Sequence, residues 1–192
     1  MVYTGYDDLV KALDLCRTIS WQPTGGCSSG VFMEYNFRTM GERNSRGFLR
    51  ELGENVHEPC DSLPIEYQPS CHYEQVQWWW GVMDSDWQTI SLLCEKLSDN
   101  QANFTACYNS IGHHVAFYSQ YDIEAVKKTC DTMLTPGSVG LCAEGASWVI
   151  IGRPNRVSDA YSLCERLETP YNKRCESKLD QTPNGRQNQT AE

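Results

Sequence analysis

"YDIEAVKKTCDTMLTPGSVGLCAEGASWVIIG", residues 121–152, places two helical patterns around a break, with one cysteine on each side. Asp122 stands eight positions before Cys130, where a carboxylate accepts the free amides of a first helical turn. Pro136 and Gly137 interrupt the interval after one further turn, because neither continues a helix cheaply. A second apolar pattern then begins at or near Cys142. The stretch predicts helix, tight turn, helix.

The same grammar recurs along all 192 residues. Cysteines fall in five pairs, 16/27, 60/71, 94/107, 130/142 and 164/175, and first members of successive pairs are 44, 34, 36 and 34 positions apart. That is a period of about 35 with one insertion of about ten residues, the mark of a stacked array. Three places after each first cysteine stand Ile19, Leu63, Leu97, Met133 and Leu167, and one place after stand Arg17, Asp61, Glu95, Asp131 and Glu165. Asp8 and Asp86 occupy the same position as Asp122, so each is expected to cap its helix. Pro59 is expected to end the first helix of the second repeat, which also carries the insertion "RNSRGFLRELGENVHEPC".

Ten cysteines admit about 945 pairings. A helical hairpin brings together the two positions that flank its turn, which predicts the bonds Cys16–Cys27, Cys60–Cys71, Cys94–Cys107, Cys130–Cys142 and Cys164–Cys175. A twin C-x9-C hairpin would need each interval to be helical, and Pro23, Pro64, Pro69, Pro136 and Pro170 oppose that.

An even count of ten cysteines, with no two nearer than 11 positions, points to export rather than to a cytosolic zinc protein. Secreted, periplasmic and cell-surface settings all fit. No signal peptide precedes "MVYTGYDDLV", so the chain is expected to begin at a mature boundary. Net charge is −9, with 16 basic against 25 acidic residues and no cationic stripe, so nucleic acid is not an expected partner. No apolar run reaches the ~18 residues of a membrane span. "NFT" at Asn103 and "NQT" at Asn188 fit the glycosylation triplet.

A pair of helices this short cannot bury its own apolar face. The expected fold is therefore all-α, an α-solenoid of about five helix-turn-helix repeats, over residues 6–40, 45–84, 86–121, 122–155 and 157–179. One disulfide-stapled domain would span 1–179, with 180–192 a polar tail or linker. In period the chain resembles the Sel1-like and tetratricopeptide families, above all cysteine-rich Sel1-like proteins exported by some bacteria. "CYNSIGHH" also resembles a Cys-x-x-Gly-x-Gly-His element of exported bacterial repeat proteins. Neither resemblance implies an activity.

The second helices supply the candidate contact residues. Offsets four and eight from the second cysteine hold Val31/Tyr35, Gln75/Trp79, Ile111/Val115 and Ala146/Ile150, the expected buried stripe. Offset six, pointing away from it, holds Met33, Gln77, His113 and Trp148, while offset seven, on its flank, holds Glu34, Trp78, His114 and Val149. In "QWWWGVMDSDW", Trp79 is expected in the core, Trp87 against the next hairpin, and Trp78 and Trp80 either wedged between repeats or forming an aromatic platform. His113 and His114 diverge by about 100° on a helix and lack the spacing of H-E-x-x-H, so a shared metal is disfavoured. Glu34, Glu144, Asp84 and Asp86 form no evident acid/base pair, and Gly-x-Ser-x-Gly is absent.

The expected role is a rigid extracellular module that binds protein or peptide through Met33, Glu34, Trp78, Trp80, His113, His114 and Trp148, with no cofactor. The alternatives are a self-associating subunit of an extracellular assembly, or a metal, haem or hydrolytic site at His113–His114.

Overall fold

A computed structural model describes residues 6–19, 26–37, 53–83 and 86–189 of the chain. All regular structure among them is helical. First helices of the hairpins are α1 (Tyr6–Ile19), α4 (Trp87–Glu95), α6 (Ile123–Cys130) and α8 (Val157–Glu165). Second helices are α2 (Gly26–Phe37), α3 (Gln68–Met83), α5 (Gln101–Tyr118), α7 (Pro136–Ile150) and α9 (Tyr171–Asp180), and a short α10 (Pro183–Gln189) follows.

All five cysteine pairs are bonded within their own hairpins, with Cα atoms 5.4 to 5.7 Å apart. The apolar residue three places past the first cysteine plugs each described turn, since Leu63, Leu97, Met133 and Leu167 are all buried. The second helices start earlier than the sequence predicts. α5 and α7 begin six residues before their cysteines, at Gln101 and Pro136. Pro136 opens α7 rather than merely ending what precedes it, because a first-turn residue needs no amide donor. Thr135 completes the cap, accepting from the Ser138 amide at 3.1 Å while its own amide donates to Ser138 Oγ at 2.9 Å.

Asp122 caps α6, its Oδ1 accepting from Ala125 N at 2.9 Å, and Asp86 directly precedes α4. Asp8 does not cap, because α1 already begins at Tyr6. Asp122→Ala is expected to cost about 1 kcal/mol, a fall in Tm of roughly 2–4 °C in a chain of this size. Asp122→Asn keeps the acceptor and should leave the melting curve in place. Equal losses from both substitutions would assign the effect to charge instead of capping.

The second repeat departs from the pattern. Its first cysteine lies in a single 3-10 turn, Cys60–Ser62, and residues 53–59 form turns where the repeat predicts a helix. The backbone acceptors here are claimed by side chains. Gln75 Nε2 donates to Val56 O at 3.0 Å and to Glu58 O at 2.9 Å, and the Trp79 indole donates to Val56 O at 2.9 Å. A glutamine at a core-facing position is thus a splint for an irregular segment. The first turn at 20–25 and insertion residues 43–52 lie outside the described residues.

The chain forms two compact units. One comprises Met1–Asp86 with Leu93–Cys107, the other Trp87–Leu92 with Tyr108–Glu192. In the first, α2 packs against both α1 and α3 around Leu9, Leu13, Val31, Phe32 and Tyr67. In the second, α7 is central, packed by α6, α8 and α9, and α10 folds back on α8 and α9. α7 is buried without a break from Gly140 to Ser147, and α3 is covered over most of its circumference.

Candidate functional site

The second unit contains an open groove of about 710 Å³. Its walls come from the end of α7, the connection that follows, the last turns of α9 and the start of α10, and His113 reaches it from α5. Trp148 stands in this groove with 57% of its surface exposed. Beside it lie His113, Arg153, Lys178 and Asn184. Two of the expected contact residues, His113 and Trp148, therefore share one concavity.

Arg153 is held by an aromatic support. Gln120 and Tyr121 follow α5 with φ of 55° and 64°, and the Tyr121 amide closes back on Ala116 O at 2.8 Å, a Schellman-type ending. This reversal presents the Tyr121 ring to the Arg153 guanidinium, whose Cζ sits 4.4 Å from the ring centroid. Arg153 enters no ion pair among the described residues.

Lys178 is anchored differently. Glu144, buried on α7, receives Arg174 Nε at 2.9 Å and Lys178 Nζ at 2.5 Å, two residues one turn apart on α9. Asn109 adds an amide at 3.4 Å. One carboxylate shared by two cations leaves the cluster net positive. Glu144 is thus committed to packing α9 on α7, and its partners among the described residues are Arg174, Lys178 and Asn109.

The start of the segment expected as a polar tail, residues 181–184, is a wall of the groove. Asn184 Nδ2 donates to Ile151 O at 2.7 Å, Gly185 N donates to Thr182 Oγ1 at 3.0 Å, and Thr182, Pro183 and Asn184 line the cavity. Composition concealed this, because α10 has almost no apolar face; its docking relies on backbone and amide hydrogen bonds.

His114 departs from the expectation of a contact residue, being buried beneath His113. The two rings stack at 5.0 Å with 17° between planes. Coordination uses in-plane lone pairs, and parallel stacked rings aim these alongside one another, not at a common point. Burial, then the neighbouring His113 charge, pushes His114 down to about 3, and burial with the Arg153 charge lowers His113. No group of three His, Cys, Asp or Glu side chains among the described residues is placed to hold a metal ion.

Trp78 likewise is no platform: it is fully buried in the first unit, as is Trp79. The flank of α3 is covered because neighbours close on it from more than one side. Met33, Glu34 and Trp80 belong to the first unit and are half-buried. Trp87 approaches Tyr118, with ring centroids 6.1 Å apart. Asn103 is buried on α5 with Nδ2 donating to Gln68 Oε1 at 2.9 Å. The side chain of Asn188 lies outside the described residues.

No protein-family model, curated protein or solved structure matches this chain.

Proposed function

We propose that this chain is an exported recognition module that binds a protein or peptide segment in the groove of its second unit. The observation carrying this reading is Trp148, a large aromatic left more than half exposed inside a mainly apolar concavity that Arg153, Lys178 and Asn184 also line. Tryptophan in such a setting is a typical anchor of binding energy. Five intra-hairpin disulfides support an oxidising compartment, and no described helix is long and apolar enough to cross a membrane. Stacking of the hairpins in one row, as in Sel1-like and tetratricopeptide solenoids, would keep the groove rigid.

Selection of a displayed random-peptide library on the immobilised chain tests the reading. Enriched peptides are expected to bind the Trp148→Ala variant at least about tenfold more weakly, the scale of an aromatic anchor. Failure to enrich any peptide, or equal binding to both proteins, would reject it.

Self-association is favoured by a separate feature, the exposed Phe117 and Tyr118 at 54% and 42% on α5. Sedimentation over a wide concentration range distinguishes it: a subunit of an assembly grows with concentration, and a monomeric receptor does not.

A further inference from the structure

Taking that groove as the contact face, we propose that its ligand is a peptide segment carrying a carboxylate that docks on Arg153, next to an apolar or aromatic side chain that covers Trp148. The inference rests on local charge. The chain as a whole carries −9, yet among the described residues no Asp or Glu lines the groove, while Arg153 and Lys178 both do. At physiological ionic strength fields fade within about 8 Å, so an incoming carboxylate feels these two cations more than the distant acidic surface.

Arg153 is also prepared for such a partner. Its guanidinium lies on the Tyr121 ring, which fixes its plane and leaves the N–H edges available. A planar fork with five donors matches a carboxylate in two-point geometry. Holding it flat beforehand removes part of the ordering cost of binding. Lys178 is held by Glu144 and contributes field, not a free donor set. Asn184 spends its amide on Ile151 O and supports the wall. The apolar half of the site is Trp148, with Val149 and Ile151 alongside.

Two other locations are weaker. The buried imidazoles of His57 and His72 face each other in the first unit with Asp61 Oδ1 3.7 Å from His72 Nε2, but no group of three side chains placed to hold a metal ion is found among the described residues. The smaller cavity near Leu134 and Tyr171 contains both acidic and basic residues, so its charge selects no ligand class.

The test uses fluorescence anisotropy with peptides selected on the intact chain, each paired with a version in which Asp and Glu are replaced by Asn and Gln. The expected result is a loss of about 10–100-fold for the amide version, the range of a charge-assisted pair. Arg153→Gln should produce a similar loss, with little further loss when both changes are combined. Tyr121→Leu, which removes the support but keeps the cation, should give a smaller loss. Peptides that need Trp148 but ignore Arg153→Gln and amide replacement would overturn the carboxylate while leaving the recognition reading intact. Selection of cationic peptides would overturn it as well. If no peptide is enriched, both proposals fall.

Discussion

Gly145→Ala and Gly112→Ala are each expected to destabilise the second unit by about 2 kcal/mol or more, although alanine is the better helix former by about 1 kcal/mol. The reason is the crossing of α5 and α7. A Cβ on Gly112 would meet the Cys142 carbonyl and stand 2.7 Å from Ala146 N; one on Gly145 would meet the Asn109 carbonyl and stand 2.6 Å from Asn109 Cα. Both obstacles are backbone, so no side-chain rotation makes room. The helices must separate, which opens voids along the crossing. Gly30 provides the control. It lies inside α2, and a Cβ there would have nothing within 4 Å, so Gly30→Ala should stabilise by about 0.5–1 kcal/mol. Thermal melts of the three variants should therefore shift in opposite directions. If Gly112→Ala and Gly145→Ala melt at or above the parent temperature, α5 and α7 do not cross this closely.

How much of this could be seen in the residues depends on which interactions are local. The disulfides were legible because both partners of each bond flank one turn, and the cap at Asp122 because its acceptor and donor are three residues apart. The close crossing at Gly112 and Gly145 was not, since each glycine finds its obstacle on another helix. The buried state of Trp78 and His114 depended likewise on a second neighbouring layer, whereas a single-stripe reading left them on a flank. In the groove, His113 and Trp148 were legible from one helical column. Arg153, Lys178 and Asn184 were not, because a reversal after α5, an ion cluster on α9 and a polar final helix bring them together. The insertion and Pro59 marked the second repeat as exceptional, and Gln75 was a further clue: a polar residue in an apolar column indicates an unusual neighbour, and here that neighbour is the turn at residues 53–59.

Acidification from pH 6.5 to 4.5 is expected to weaken the second unit more than the first. The chain has four histidines, and they form two buried ring contacts, His57 with His72 at 5.8 Å and His113 with His114 at 5.0 Å. Burial lowers all four, His72 and His114 to about 3. A group whose pKa is lower folded than unfolded binds fewer protons in the native state, so its contribution is complete above pH 6.5 and is lost as pH falls toward 3. For His114 the slope is about 1.4 kcal/mol per pH unit, or roughly 2–3 kcal/mol across this window, with Arg153 near its partner opposing any compensating protonation. The first unit has a counterweight. Burial raises Glu74 to about 7, against the opposing hydrogen bond from Ser29, so the native state binds the extra proton and regains stability as pH falls from 7 to 4.5. That gain offsets the loss at His72, while His57 lies between Asp61, which raises it, and Lys96, which lowers it. Hydrogen exchange followed on peptides from α3 and α7 separates the two units. Protection in α7 should fall steadily over the window and less steeply in His114→Leu, where only the lowered His113 remains, and Glu74→Gln should expose in α3 the acid sensitivity that the carboxyl conceals. Equal pH profiles for α3 and α7 in the parent chain would contradict the opposition of Glu74 and His72, because ordinary carboxylates titrate mostly below this range.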